Sequence, residues 1–261
     1  MFEMFKKMMQ YPRLTSNYPR QKFQADHMLG KPVIDSDQCA WCGECGKRCP
    51  SAAIQCDQTA RRIGINLDRC IFCALCAEIC PARAIRMTQE FELAELARQD
   101  LHPGWDAEMP ETASDSLEVI GARAGERIRK VFGRSLQIRE VDAGSCNGCD
   151  YEINALNNPM NDLERFGIHF VASPRHADLL LVTGIVSRNM ELALRKTYEA
   201  TPDPKLVVAT GACACSGGIF RDSHVGRNGI DAILPVDAYI PGCPPRPQAI
   251  IYGILKALDR L

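Results

Sequence analysis

The sequence predicts an α+β domain followed by an α/β domain with an open, mainly parallel sheet. Three observations carry this expectation. One cysteine pattern occurs twice between Cys39 and Pro81. A stretch rich in Pro, Gly, Ser and acidic residues, HPGWDAEMPETASDS, breaks the chain at 102–116. Beyond it, short apolar runs alternate with helical patterns, as they do where a parallel sheet is covered by helices on both faces. The 261 residues, 46% of them hydrophobic, suffice for about two domains with a core in each. The expected organisation is an N-terminal arm over 1–30, a first domain over 31–101, a linker over 102–116 and a second domain over 117–261.

Bulk properties exclude several classes. The formal net charge is -1, so no global basic field points to nucleic acid. No run approaches the roughly 20 apolar residues that span a bilayer; AIIYGILKAL is half that length and contains a lysine. The 14 cysteines follow no apolar signal segment and show metal-site spacing, so a reducing compartment is expected rather than a disulfide framework.

The chain opens on MFEMFKKMMQ, whose Met and Phe residues with two lysines fit a short amphipathic helix docked on a partner protein or, less favourably, on lipid. An extended arm follows to residue 38. Then come CAWCGECGKRCP, with Cys39, Cys42, Cys45 and Cys49, and CIFCALCAEICP, with Cys70, Cys73, Cys76 and Cys80. Three thiolates on one tight loop cap three irons of a cubane, while the fourth cysteine of each run points away to the other cluster. The spacing therefore assigns Cys39, Cys42, Cys45 and Cys80 to one 4Fe-4S cluster, and Cys70, Cys73, Cys76 and Cys49 to a second. Paired CxxC knuckles also hold zinc, but zinc needs neither three cysteines in one loop nor the repeated endings CPSAAI and CPARAI. The two runs begin 31 residues apart, at 39 and 70, and correspond cysteine for cysteine. This is a duplicated unit.

Between the runs, AIQCDQTARRIGINLDRC predicts a hairpin turning at Asp57 to Arg62. Cys56 has no counterpart in the second copy and is expected as a small apolar core residue. After Pro81 the pattern predicts a strand ending near Met87, then a helix through FELAELARQDL.

In the second domain a helix is expected over Leu117 to Phe132, strands at LQIREVD, GIHFVAS, ADLLLVTG, KLVVATG and DAYIPG, and further helices at Asp150 to Asn157, Asn189 to Ala200 and Pro247 to Leu261. Ligands of such sheets collect beyond the carboxyl ends of the strands, where AGSCNGCD, ACACSGG and PGCPPRP fall. Cys146, Cys149, Cys213 and Cys243 form the expected ligand set of a third cluster, with Cys215 the alternative in the middle loop. Flanking glycines let the backbone approach and present N–H groups to a negative site.

The segments SCNGCDYEI, RFGIHFVASPRHADLLLVTG, PDPKLVVATGACACSGGIF and VDAYIPGCPPRP resemble the small subunit shared by group 4 membrane-bound NiFe hydrogenases and the complex I subunit that carries the terminal cluster. The sheet implied is flavodoxin-like. The first domain, with NYPRQKF and GKPVIDSDQC ahead of its first motif, resembles the two-4Fe-4S ferredoxin-like subunit of the same assemblies, so the chain reads as a fusion of two electron-transfer subunits of the formate hydrogenlyase or hydrogenase-4 type. Complex I subunits carry adjacent cysteines at the first ligand loop, whereas Cys146 and Cys149 are separated by two residues, the hydrogenase arrangement. Cys215 stands where relatives usually carry asparagine.

The resemblance implies an oxidoreductase subunit without a complete active site of its own, working at the cytoplasmic face of the cell membrane. It implies three 4Fe-4S clusters, the last of them proximal to a NiFe centre on a partner large subunit. Further partners are membrane-embedded antiporter-like and anchor subunits and a formate dehydrogenase or other donor. The alternative is a complex I-like ferredoxin or NADH:quinone oxidoreductase subunit; a third reading is a binding protein with structural, non-redox metal sites. Glu152, three residues after Cys149, serves either as a proton relay to the large subunit or as an acid stabilising a helix N-terminus. Arg175 and His176 either donate hydrogen bonds near the cluster or the subunit interface, or bridge backbone in a turn.

Overall fold

The computed structural model describes residues 2–12, 14–18, 21, 23, 28–102 and 117–258. Apart from His102, the expected linker lies outside the described residues. Helix α1 (Phe2–Gln10) forms where the amphipathic start predicts it, and its Met4, Phe5, Met8 and Met9 are all exposed. The arm that follows is pinned by Tyr18, which is buried, packs on Phe91 at 6.1 Å between ring centroids and donates from Oη to the Gln248 carbonyl at 3.3 Å.

The first half contains β1 (Pro32–Ile34), α2 (Glu44–Lys47), β2 (Ile54–Asp57), β3 (Arg62–Ile65), α3 (Leu75–Glu78) and β4 (Ile85–Met87). Strands β2 and β3 form the expected antiparallel hairpin, and β1 closes on β4 with Val33 opposite Arg86. The duplication extends to backbone conformation. Trp41 and Phe72 have φ of 53° and 55°, Gly43 and Ala74 73° and 62°, Ala52 and Arg83 50° and 52°. Bulky residues rarely adopt positive φ; here each pair occupies the same place in its motif, so the cysteine loop itself demands the conformation. Gly43 and Ala74 cap α2 and α3 from this left-handed state.

The helix expected after Met87 does not form. The segment runs irregularly to Ala97 and closes in one 3-10 turn, Arg98–Leu101. Tertiary contacts override propensity here: Phe91, Leu93 and Ala94 are buried, and Lys256 Nζ donates to the Ala94 carbonyl at 2.7 Å.

The second half contains α4 (Leu117–Phe132), β5 (Leu136–Asp142), α5 (Gly148–Asn154), β6 (Ile168–Phe170), β7 (Leu179–Thr183), α6 (Arg188–Ala200), β8 (Leu206–Thr210), α7 (Ala212–Ser216), β9 (Ala238–Ile240) and α8 (Pro247–Ala257). All five strands lie in the predicted segments. They pair in parallel in the order β6-β5-β7-β8-β9, the 2-1-3-4-5 order of doubly wound sheets. The edge at β9 is covered by the segment that failed to become a helix: Glu95 N donates to the Tyr239 carbonyl at 3.0 Å and Tyr239 N to the Glu95 carbonyl at 2.8 Å.

Along β7 the side chains alternate between two cores. Leu179 and Leu181 join Ile128, Ile153, Ile250 and Ile254 of the helical face. Leu180 and Val182 join Leu194 and Ala214, and the same core contains Ile54, Ile63, Ile65 and Leu67 of the first half. The two halves therefore share a core, where the sequence suggested one core in each.

Candidate functional site

Two cavities open in the first half. One is lined by Cys39, Cys42, Cys45 and Cys80, with Cys56, Ile63 and Ile85 beside them. The other is lined by Cys49, Cys70, Cys73 and Cys76, with Phe72 and Met87. In each, three cysteines of one motif meet the fourth of the other. Ala53 N donates to Cys49 Sγ and Ala84 N to Cys80 Sγ, both at 3.3 Å, one bond in each copy of the repeat. Cys56, expected as a core filler, is only half-buried and faces the first cavity. Its strand pairing with Ile63 turns it that way.

Burial pushes the Cys70 thiol up to about 12 and the Cys45 thiol up to about 11, and neighbouring cysteines add to both. Thiolates in such surroundings require bound positive charge. Among the described residues, no three His, Cys, Asp or Glu side chains stand close enough to hold a single metal ion. In each cavity four thiols form the ring, the donor set of a cysteine-ligated cluster.

A third group forms at the carboxyl edge of the sheet. Cys146 follows β5, Cys149 lies in the first turn of α5, Cys213 lies in α7 after β8, and Cys243 follows β9. Their thiols are mutual neighbours. Burial raises the Cys149 thiol first, and Cys213, Cys243, Asp150 and Cys146 raise it further; burial, then Cys243 and Cys146, bring Cys213 to about 11. Gly211, at φ 89°, has no room for a side chain, since a Cβ there would stand 2.6 Å from Cys149 Sγ. Cys215 goes elsewhere: it is fully buried in the core, its Sγ 3.7 Å from the Ala209 carbonyl and 3.6 Å from that of Ile240. Cys146 and Cys243 are exposed, as are Tyr151 (81%), Ile219 and Phe220 on neighbouring segments.

Two acids behind this group escaped the sequence reading. Asp150 accepts from Thr183 Oγ1 at 2.8 Å and from the Ser145 hydroxyl. Glu140, on β5, is raised to about 8 by burial and by its hydrogen bond to Asp150. Ser145, Glu140 and Thr183 together hold Asp150 low against its burial. The sequence held a signal, because Glu140 shares the strand face of Leu136 and Ile138, both fully buried. Asp150 is also the acid in the first turn of α5, and Glu152 lies two residues further along the helix. Glu152 is half-buried, its carboxyl raised by desolvation and opposed by Arg246. Arg175 and His176 lie exposed in a 3-10 turn before β7, at the end of the sheet opposite the cysteine loops.

Residues 31–81 match the 4Fe-4S dicluster domain family, and residues 146–257 match the family of the NADH ubiquinone oxidoreductase, 20 Kd subunit. A protein of Pyrococcus furiosus named probable membrane-bound hydrogenase subunit is 51% identical over 132 residues, 51% of this chain and 79% of that one. The chain belongs to the NADH ubiquinone oxidoreductase 20 Kd subunit family. Other proteins similar to this chain are formate hydrogenlyase subunit 7 of Escherichia coli, 46% identical over 153 residues (59% of this chain, 58% of that one), and an NADH-quinone oxidoreductase subunit of Geobacter metallireducens, 52% identical over 113 residues (43% of this chain, 66% of that one). The chain thus spans less than two thirds of the length of these last two.

Proposed function

We propose that the chain is the electron-transfer small subunit of a multi-subunit, membrane-associated NiFe hydrogenase of the formate hydrogenlyase type. In this reading it carries three 4Fe-4S clusters: two in a ferredoxin-like domain over 31–101, on the crossed cysteine sets of the two cavities, and a proximal one on Cys146, Cys149, Cys213 and Cys243 in the domain over 117–261. Each cluster supplies reversible one-electron storage when bound. The chain's own contribution is to bury the thiolates, to aim backbone N–H groups at sulfur and to exclude side chains at Gly211, all of which tune such centres.

The observation that supports this reading best is the gathering of Cys146, Cys149, Cys213 and Cys243 at an edge where two of the thiols are exposed beside Tyr151. Such a site is finished by a partner surface, here the large subunit with its NiFe centre. Relatives named as membrane-bound hydrogenase and formate hydrogenlyase subunits favour that partner, with antiporter-like and anchor subunits in the membrane and a formate dehydrogenase or other donor upstream. Among the described residues no helix is long and apolar enough to cross a membrane. Attachment at the cytoplasmic face through partners accords with that. Glu152, half-buried near Arg246, is the carboxylate we assign to proton relay toward the large subunit.

Cys146→Ala and Cys243→Ala are expected to abolish hydrogen turnover while the two ferredoxin-like clusters still form. Full turnover in either variant would sink the assignment. The second reading, a complex I-like quinone-reducing subunit, rests on the 52% identity to the Geobacter metallireducens NADH-quinone oxidoreductase chain; inhibition by quinone-site ligands in a nickel-free complex would favour it.

A further inference from the structure

The loop that carries Cys70 and the helix that carries Cys213 are joined directly. The Ser216 hydroxyl, three residues after Cys213, donates to the Asp68 carbonyl at 2.7 Å in a buried contact. The Asp68 carboxylate is itself buried; Arg98 Nε donates to it at 3.0 Å, His102 Nε2 stands 2.7 Å from it, and Arg98 reaches on to Asp231 at 2.9 Å. This junction therefore sets how the second cavity stands against the third cysteine group.

Two arginines flank this junction, Arg69 next to Asp68 and Arg221 on Ser216. Arg69 immediately precedes Cys70, and Arg221 donates from Nη1 to the Ser216 carbonyl at 3.3 Å. Among the described residues the buried Arg69 Nε has no hydrogen-bond partner, and Arg221 pairs only loosely with Asp222, at 3.7 Å. Two cations at one partly desolvated joint are unfavourable by themselves. They become favourable when negative charge lies on either side.

We propose that Arg69 and Arg221 are the fixed counter-charge between the cluster held by Cys49, Cys70, Cys73 and Cys76 and the cluster held by Cys146, Cys149, Cys213 and Cys243, raising the midpoint potentials of both. This rests on the iron-sulfur reading of the two sites. A cubane on four thiolates is anionic and becomes more so when reduced, so a nearby positive charge favours its reduced form. Guanidinium suits the role because it keeps its charge across the accessible pH range. When one electron leaves one cluster and enters the other, no bond forms or breaks and these two residues exchange no proton. They act as positioning charges.

The test uses the whole complex, purified anaerobically, carrying Arg69→Gln, Arg221→Gln, both together, or Arg69→Lys. Iron content is measured first, then midpoint potentials by redox titration followed with low-temperature paramagnetic resonance. The signal missing in Cys146→Ala identifies the proximal cluster. With iron unchanged, Arg69→Gln is expected to move the second cluster to more negative potential, Arg221→Gln chiefly the proximal one, and Arg69→Lys to restore most of the shift. Wild-type potentials in the double variant would overturn the proposal alone. Absence of reducible clusters from the unaltered complex would overturn the reading beneath it as well. Should Arg69→Gln lose iron, Arg221→Gln decides by the same shift or its absence.

Discussion

Gly211 and Cys149 approach so closely that a single methyl group on Gly211 would stand 2.6 Å from the Cys149 sulfur. The glycine sits at φ 89° in the turn between β8 and α7, so any side chain meets both a steric and a backbone penalty. Gly211→Ala is therefore expected to lose the proximal cluster, about 4 of about 12 iron atoms, while the two ferredoxin-like clusters remain. Iron analysis of the purified complex checks this; full iron content would contradict it.

Cys213 and Cys215 are two residues apart on α7, yet only Cys213 shares its surroundings with Cys146 and Cys243. Cys215→Ala removes one sulfur from the core and should cost roughly 1 kcal/mol of stability with all iron retained. Cys213→Ala should lose the proximal cluster. Iron loss in the first variant together with retention in the second would reverse the ligand assignment.

Much of this arrangement was legible in the sequence, and the exceptions share a cause. The crossed cysteine sets, the hairpin and all five parallel strands follow from spacing and local apolar pattern, because these are short-range properties. The helix expected over FELAELARQDL failed because its apolar residues are claimed by the sheet edge at Tyr239, a partner more than a hundred residues away. Asp150, Arg69 and Arg221 were missed for the same reason, whereas Glu140 carried a local signal in its strand face. Their meaning lies in what long-range folding sets beside them.

Glu140 titrates on a predictable side. Its carboxyl is raised from 4.5 to about 8 in the folded chain, so the native state keeps a proton that the unfolded state has lost. The stability this contributes is fully present below 4.5 and is lost as pH rises through about 8. Glu140→Gln should accordingly gain in thermal stability relative to the unaltered protein as pH rises across that window. A gap in melting temperature that stays constant with pH would argue against a proton held on Glu140.

Asp68 has no solvent exposure, and Arg98 Nε donates to its Oδ2 at 3.0 Å. Arg98→Met leaves that carboxylate uncompensated and should cost about 3–5 kcal/mol. Asp231→Asn removes only the outer, partly exposed partner and should cost less than about 1 kcal/mol. Denaturant unfolding of the two variants compares them directly, and equal costs would mean that the buried junction is not the anchor between the two halves.

As proposed, this chain forms a three-cluster wire ending at a nickel-iron centre on a partner. The test is the nickel and iron content of the complex that copurifies with it under anaerobic conditions. Nickel together with about 12 iron atoms attributable to this subunit is expected. Abundant iron without nickel would contradict the hydrogenase assignment and move the end of the wire to quinone or another acceptor.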